Sequence, residues 1–146
     1  MKILEIFTKN RIIGNIGERE AIKHLRRHGY RILEKNYVAL GHEIDVIARK
    51  KNVTAFVEVK ARNVKHLGNY EARPASAVTP EKQRKIISTA NHYSRVKNLG
   101  TRMRFDIVEV YLADKNNGVK IEEVKHLEGA FDWNTAYSTY RERDFK

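Results

Sequence analysis

The sequence contains no cysteine. This absence excludes a disulfide framework, a thiol nucleophile and any zinc or iron–sulfur site with cysteine ligands, and it is compatible with a reducing compartment. No apolar run approaches the roughly 20 residues that a membrane-spanning helix requires. The N-terminal segment also lacks the apolar core and small-residue cleavage site of a signal peptide. We therefore expect a cytoplasmic protein with no membrane partner.

Acidic residues are also scarce relative to basic ones. The 146 residues include 29 lysines and arginines against 18 acids, which gives a formal net charge of +11. Such an excess attracts polyanions. The simplest interpretation is a basic surface that keeps the protein soluble. Nucleic acid is the more specific alternative, and we favour it over a membrane because no basic amphipathic helix with a strong apolar face is present.

Hydrophobic periodicity predicts one α/β domain with a mixed central β-sheet flanked by helices. Gly29 is a suitable helix stop, and Thr79 with Pro80 forms a helix start. The expected order is helix 14–28, strands 30–38, 43–49 and 53–61, a helix from residue 79, and strands 103–113 and 119–127. The segment KKN at 50–52 predicts a hairpin between the second and third strands. This domain covers residues 1–131, and the tail 132–146 is left unassigned.

Two of these strands carry charged residues inside apolar runs. Glu43 and Asp45 interrupt the second strand, and Glu58 and Lys60 the third. Residues two apart on a strand share a face, and a hairpin would bring Asp45 and Glu58 near one another. Two close carboxylates repel unless a cation lies between them, and Mg²⁺ prefers such oxygen ligands.

Lys60 gives this set a further chemical role. An ammonium group beside a metal-bound phosphate can stabilise charge that develops during hydrolysis, or orient the attacking water. Asp45, Glu58 and Lys60 therefore suit phosphodiester hydrolysis with Mg²⁺ or Mn²⁺. The alternative is that these charges lie on the solvated face of an amphipathic hairpin.

Two residues on the predicted helices are further candidates. Glu18 shares a helical face with Ile22 and Leu25, so its carboxylate either caps the helix start or points into a site. Gln83 shares a stripe with Ile87 and either holds a water or phosphate near the metal or bonds a neighbouring backbone group. Basic residues that crowd the adjoining segments are candidates for phosphate contacts: Arg62, Lys65, Arg73, Lys82, Arg84 and Lys85.

Several segments, in order, resemble the YraN-like family of bacterial proteins. They are GEREA (17–21), GYRILEKNY (29–37), EIDVIA (43–48), FVEVKAR (56–62), AVTPEKQRKI (77–86), RFDIVEV (104–110) and HLEGAF (126–131). That family consists of predicted nucleases of the restriction-endonuclease-like superfamily, which is named for its PD-(D/E)xK pattern and is related to archaeal Holliday junction resolvases. The resemblance runs from about residue 14 to residue 131.

The resemblance implies specific roles. Asp45 matches the metal-binding aspartate, Glu58 and Lys60 match the (D/E)xK pair, and Glu18 matches a helix-borne acid of resolvase-like members. Gln83 lies where related nucleases often carry a helical glutamine or lysine. Glu43 belongs to the family's GEID motif. Two positions depart from the pattern, since Ile44 replaces the proline of PD and His42 replaces a common glycine. The histidine either fills a turn or contacts a phosphate.

Three functional hypotheses follow. The first is a metal-dependent endonuclease acting on DNA, including branched or structured DNA, in which case symmetric cutting of two strands would require a homodimer. The second is a nuclease fold that binds nucleic acid without catalysis. The third is an interaction protein whose acids only form ion pairs. The complete acid–acid–lysine set favours the first.

Overall fold

The computed structural model describes residues 2–64, 78–116 and 118–137, with side chains from residue 10 onward. The element order is αβββαββ, as the sequence predicts. The elements are α1 (Lys2–Arg27), β1 (Arg31–Ala39), β2 (His42–Lys50), β3 (Val53–Asn63), α2 (Pro80–Val96), β4 (Arg102–Lys115) and β5 (Gly118–Phe131).

The five strands form one mixed sheet in the order β1-β2-β3-β4-β5. β3 and β4 run parallel, whereas the other neighbours are antiparallel. The parallel pair requires a crossover, and α2 lies in that connection. The predicted hairpin is confirmed, because Lys50 pairs with Val53 across a turn in which Lys51 has a φ of 53°. The predicted α/β class with a mixed, helix-flanked sheet is therefore correct.

The two helices cover opposite faces of the sheet. Apolar residues of α1, among them Ala21 and Leu25, pack with Val57 and Val108 in one core cluster. Ile86, Ile87, Ala90 and Tyr93 of α2 pack with Phe56 and Phe105 in the other. Both faces are therefore buried, which explains why β2, β3 and β4 contain nearly continuous apolar runs rather than a strict alternation.

Helix α1 begins earlier than predicted. We expected its start at residue 14, but the helix runs from Lys2 and passes through Gly14. A glycine inside a helix costs only about 1 kcal/mol relative to alanine, so Gly14 alone does not end it. The predicted stop is correct, because Gly29 follows the helix with a left-handed φ of 87°.

Strand β5 continues past the predicted end at residue 127. The pairing of β4 with β5 shifts between Phe105 and Ile107, and β5 then rejoins β4 at Phe131. Gly129 makes this irregularity possible, because it has a φ of 60° and donates its N–H to the Asp106 carboxylate at 3.0 Å. A local sequence pattern indicates a strand end at this glycine, whereas the glycine in fact forms a bulge.

A short helical turn at residues 133–137 follows β5 and packs against the α2 side of the sheet. Asp132 caps it by accepting the Thr135 N–H at 2.9 Å, and Ala136 is completely buried. Thus the beginning of the tail that the sequence left unassigned packs against the sheet. Tyr140 and Phe145, which are further aromatic residues of this tail, lie outside the described residues.

Gly17 lets α1 approach the sheet closely. A Cβ atom at this position would lie 2.7 Å from the Cβ of Ala61 in β3, whereas a Cβ at Gly14 would meet nothing within 4 Å. We therefore expect Gly17→Ala to lower the unfolding free energy by about 1–3 kcal/mol, as overpacking does. Gly14→Ala, the matched control, should raise it by roughly 0.5–1 kcal/mol through helix propensity. Urea unfolding followed by circular dichroism measures both; equal effects of the two substitutions would contradict the close contact.

Candidate active site

The candidate site lies where β2 separates from β3. Residue pairing between these strands runs from Lys50–Val53 to Val46–Val57. Beyond it β2 stays paired with β1 as far as His42, and β3 stays paired with β4 as far as Asn63. At the fork, Asp45 accepts the Val59 N–H through its side-chain oxygen at 2.8 Å. A carboxylate of β2 thereby takes the place of a backbone acceptor and is held between the two strands.

The alternation of β2 also breaks at this point. Ile44 packs into the core cluster on the α2 side, and Val46 packs into the cluster on the α1 side. In a regular strand these two residues would share a face. The break turns Asp45 towards the opening between the strands.

Three carboxylates converge at the fork. Oxygens of Glu18 on α1 and of Glu43 and Asp45 on β2 all lie within 4.8 Å of one another. Asp45 and Glu18 are half-buried and Glu43 is exposed. Carboxylate oxygens at this spacing are ligands that a hard divalent cation prefers. The predicted shared face of Glu43 and Asp45 is therefore present, and Glu18 points into the same site rather than capping the start of α1.

The electrostatics of Asp45 are unfavourable for a carboxylate. Burial raises its pKa from the ordinary 3.8 to about 7, and the charges of Glu58, Glu18 and Glu43 act in the same direction. The hydrogen bond from Val59 only partly offsets this rise. Burial and Glu43 also raise the pKa of Glu18. The protein thus holds negative groups together against their mutual repulsion.

Glu58 faces the same site from β3 and contacts two lysines. It is only 6% exposed. Its carboxylate accepts a hydrogen bond from the ammonium group of Lys82 on α2 and lies 3.6 Å from the Lys60 ammonium. Glu58 and Lys60 therefore share a face, as strand spacing predicts, and Lys82 joins them from the first turn of α2.

The two lysines respond differently to this environment. Burial and the charge of Lys82 lower the pKa of Lys60, although Glu58 opposes the change. Burial also disfavours the charge of Lys82, but its hydrogen bond to Glu58 more than offsets that effect and raises its pKa. Lys82 is consequently the firmly charged partner of Glu58, and Lys60 is the lysine that more readily gives up a proton.

Glu18 is positioned by contacts on both sides. The preceding Gly17 packs against Ala61 and brings this part of α1 close to β3. Asn36 of β1 hydrogen-bonds to the Glu18 carboxylate and has a φ of 50°, a left-handed conformation that asparagine tolerates better than most residues. Local sequence patterns do not predict this role of Asn36; their one signal is an asparagine inside an otherwise good strand.

Gln83 is buried in α2 and bonds to the protein. Its amide N–H donates to the Val78 carbonyl at 3.0 Å, and its amide oxygen accepts from the Thr135 hydroxyl at 3.4 Å. The backbone hydrogen bond is the alternative that the sequence left open for this residue. Gln83 therefore ties the start of α2 to the C-terminal turn, and its role beside a metal stays a prediction.

His42 borders the site at the start of β2. Its buried Nε2 atom has no hydrogen-bond partner among the described residues. Burial lowers the pKa of His42, with Glu58 opposing and Lys82 reinforcing the change. Such an unsatisfied buried nitrogen is unusual, and its position near Glu58 and Lys82 suits a contact with a water molecule or a substrate oxygen.

Glu109 is a further acid near the site that the sequence analysis did not single out. It is 5% exposed, stands opposite Lys60 in the pairing of β3 with β4, and accepts a hydrogen bond from Tyr111 at 2.9 Å. Its strand carries the run RFDIVEV, in which two acids lie inside an apolar run, as acids do in β2 and β3. That pattern was the signal available in the sequence.

Four of the six predicted phosphate-contact residues lie in the part of the chain that the structure describes. Arg62 lies near enough that its charge contributes to lowering the Lys60 pKa, and Lys82 contacts Glu58. Arg84 donates to the Ala136 carbonyl at 2.8 Å, and Lys85 lies 3.5 Å from Glu81. The other two, Lys65 and Arg73, lie outside the described residues.

Comparison with known proteins identifies the class of the chain. Residues 17–110 match the model of "Uncharacterised protein family UPF0102". This range contains all the acids and lysines of the site, from Glu18 on α1 to Glu109 on β4. No described helix is long and apolar enough to cross a membrane.

Individual relatives cover most of the chain. A UPF0102 protein of Caldanaerobacter subterraneus is 41% identical over 120 residues, 82% of this chain and 93% of the relative. One of Acetivibrio thermocellus is 40% identical over 83% of this chain and 92% of its own, and one of Clostridioides difficile is 38% identical over 84% and 98%. The chain belongs to the UPF0102, or YraN-like, family, a PD-(D/E)xK-like member of the nuclease superfamily.

The raised pKa of Asp45 makes the stability of the protein depend on pH. The folded state retains the Asp45 proton up to about pH 7, whereas the unfolded chain loses it near the ordinary value of 3.8. The Asp45 contribution to the unfolding free energy therefore falls as pH rises from about 4 to about 7. The shift corresponds to a cost on the order of 4 kcal/mol, part of which is shared with the neighbouring acids.

Asp45→Asn removes this cost while keeping an oxygen that can accept the Val59 N–H. In the absence of divalent ions, the variant should be more stable than the wild type above pH 7 by about 2–4 kcal/mol. The advantage should shrink as pH falls and vanish near pH 4. Urea unfolding at pH 4, 6 and 8 in chelator measures it. A destabilised variant at pH 8 would show that Asp45 is a favourably held anion.

Proposed function

We propose that the protein is a metal-dependent endonuclease that hydrolyses phosphodiester bonds of DNA, including branched or structured DNA. The observation that carries this proposal is the grouping of Glu18, Glu43 and Asp45 beside Glu58 and its two lysines. Cutting two strands symmetrically would further require a homodimer. The alternative is a nuclease fold that binds nucleic acid without turnover, and a cleavage assay distinguishes the two.

A second buried aspartate shows that the acid grouping is not a general feature of this sheet. Asp106 on β4 is completely buried. Its carboxylate accepts two hydrogen bonds from Arg104, at 2.7 and 2.8 Å, and one from the Gly129 N–H, and it lies 2.8 Å from the Nε2 atom of His126. Burial alone would raise its pKa, but these partners lower it. Asp45 receives one N–H and several negative neighbours instead. The contrast supports a cation from solution as the partner of Asp45.

The chemistry of the donors fits Mg²⁺ or Mn²⁺, both of which take carboxylate oxygens. Asp45 and Glu58 would hold the ion, with Glu18 and Glu43 adjoining Asp45. When bound, such an ion activates water and neutralises charge on a phosphate. Because the pKa of Asp45 is raised to about 7, a bound cation would extend its carboxylate form to lower pH.

The lysines contribute the complementary charges. Lys82 balances the negative charge of the buried Glu58 carboxylate. Lys60, whose pKa burial and Lys82 lower, would orient the attacking water or accept its proton, because a lysine that deprotonates more easily is the better general base. Its ammonium form would stabilise negative charge on the phosphate.

DNA would approach from the side on which the basic residues lie. Four described basic residues suit phosphate contacts, which position nucleic acid without reading its sequence. They are Arg62 at the end of β3 and Lys82, Arg84 and Lys85 on the first turns of α2. Lys65 and Arg73 remain further predictions of the same kind. Affinity should fall with salt, with a slope of about −0.9 for each phosphate neutralised.

Cleavage tests the proposal directly. Labelled linear, flapped and four-way DNA are incubated with Mg²⁺ or Mn²⁺ and resolved on gels. We expect metal-dependent cutting by the wild type, and a rate slower by roughly 100-fold or more for Asp45→Asn and Lys60→Ala, because each removes a group that acts on the reacting phosphate. Both variants should still bind DNA in a mobility-shift assay.

The matched control is Lys120→Ala. Lys120 is an exposed lysine on β5, at the sheet edge opposite β1, and its removal lowers the net charge by the same amount as Lys60→Ala. It should cut at the wild-type rate. Binding of all three substrates with no cleavage under any metal condition would contradict the nuclease and favour the binding module.

Metal uptake can be measured without activity. Calorimetric titration of the DNA-free protein with Mn²⁺ should show one site, and Asp45→Asn should weaken it by roughly tenfold or more because the Asp45 carboxylate is a ligand in the proposed site. At pH 6 binding should release close to one proton, since the pKa of Asp45 is about 7. Repeating the titration in buffers of different ionisation enthalpy gives the proton count.

Two variants then distinguish the ligands. We expect Glu58→Gln to weaken Mn²⁺ binding, as the sequence predicts for the Asp45–Glu58 pair, and Glu43→Gln to weaken it less because Glu43 is exposed. Unchanged affinity of Glu58→Gln would assign Glu58 to the lysine pair alone. Absence of any Mn²⁺ uptake by the wild type would contradict the metal site.

A further inference from the structure

A groove runs along the exposed side of α2, and the proposed hydrolytic chemistry does not use it. It consists of two adjoining cavities of about 690 and 410 Å³ that share Leu40 of the β1–β2 turn and Ser88. The remaining lining residues are Glu81, Arg84, Lys85 and Thr89 in the first cavity and Asn91, Ser94, Arg95 and Trp133 in the second. The groove therefore extends from the first turn of α2 to the C-terminal turn.

The lining is complementary to a polyanion. It contains three cations, Arg84, Lys85 and Arg95, and one acid, Glu81, which lies 3.5 Å from Lys85. The groove also begins beside the candidate active site, because the charges of Lys85 and of Glu58 both act on His42. Small polar side chains of α2 form the floor between the two ends of the groove.

The far end of the groove carries an exposed aromatic surface. Trp133 is 52% exposed, and its ring lies against that of Tyr137, with centroids 4.2 Å apart and an angle of 31° between the planes. The Arg84 guanidinium lies 5.7 Å from the Tyr137 ring centroid and donates to the Ala136 carbonyl. The indole is thus supported from behind and held against α2, with part of its surface open.

We propose that this groove binds a single-stranded segment of nucleic acid that continues from the active site. Its phosphates would follow Arg84, Lys85 and Arg95, and a base would stack on Trp133. A cationic groove with a supported aromatic ring is how proteins bind single strands without reading sequence. A duplex keeps its bases stacked on one another and offers none to the indole. The proposal rests on the proposed function, since it defines the substrate as one with an unpaired strand next to the cut.

Trp133 reports on this interaction directly, because the chain contains one tryptophan. The full-length Asp45→Asn protein in chelator is titrated with oligothymidylate, oligouridylate and a blunt duplex while tryptophan fluorescence is recorded. We expect saturable quenching by the single strands that weakens with salt, and little quenching by the duplex. Comparison of the two oligonucleotides shows whether DNA or RNA is preferred.

Variants test the stacking itself. In anisotropy titrations with labelled oligothymidylate, Trp133→Ala in the Asp45→Asn background should bind about tenfold more weakly or worse, whereas Trp133→Phe should retain most of the affinity because it keeps an aromatic face. Circular dichroism melting confirms that both remain folded. Equal affinity of the alanine and phenylalanine variants would overturn the stacking role.

The combined results separate the groove from the nuclease. Wild-type cleavage of DNA without any quenching of Trp133 would overturn the groove and leave the nuclease proposal standing. Quenching without cleavage on any substrate would support the groove and contradict the nuclease. Absence of quenching together with a sedimenting dimer that Trp133→Ala converts to monomer would assign the groove to a second copy of the chain and overturn the proposal.

Discussion

The hydrogen bond from the Val59 N–H to the Asp45 carboxylate determines the arrangement of the site. A sheet normally joins neighbouring strands by backbone bonds along their whole length. Here the pairing of β2 with β3 ends at Val46–Val57, and the next acceptor for β3 is a side chain. The two strands can therefore diverge without leaving this backbone N–H unsatisfied, and the opening between them receives side chains from both strands and from α1.

This opening explains why acids occur inside apolar strands. Apolar residues buried on both faces of the sheet hold each strand in place. The positions of the charged residues therefore follow from this packing. Glu43 and Asp45 extend from the start of β2, and Glu58 and Lys60 extend from β3. The packing of Gly17 on Ala61 brings Glu18 of α1 close to them. The favourable free energy of this hydrophobic packing offsets the repulsion between the carboxylates, because the core holds the backbone in place even when the acids repel one another.

The element order and the β2–β3 hairpin could be predicted from the sequence, because they follow from local periodicity. The same holds for the shared face of Glu43 and Asp45 on β2 and of Glu58 and Lys60 on β3. The sequence pattern did not predict the features that depend on packing between residues far apart in the chain. The passage of α1 through Gly14 and of β5 through Gly129 depends on neighbours that a local pattern does not contain. The pairing of Lys82 with Glu58 and the support of Glu18 by Asn36 arise from the crossing of separate elements. Gln83 shows both cases, since a bond to a neighbouring backbone group was one of its two predicted alternatives, whereas its contact with Thr135 was not predicted.

The two buried aspartates show what the arrangement at the fork means chemically. Both Asp45 and Asp106 lie on strands of one sheet, and burial acts on both in the same direction. Asp106 contacts an arginine of its own strand and a histidine and a backbone N–H of the adjacent strand, so groups of the protein itself balance its negative charge. The lysines near Asp45 instead pair with Glu58, and the charges of Glu58, Glu18 and Glu43 raise the pKa of Asp45. A chain with 11 more positive than negative charges has no shortage of cations with which to neutralise that aspartate. Asp45 with Glu18 and Glu43 therefore suits a metal ion, the lysines suit a phosphate, and Glu58, which contacts both lysines and acts on Asp45, links the two groups.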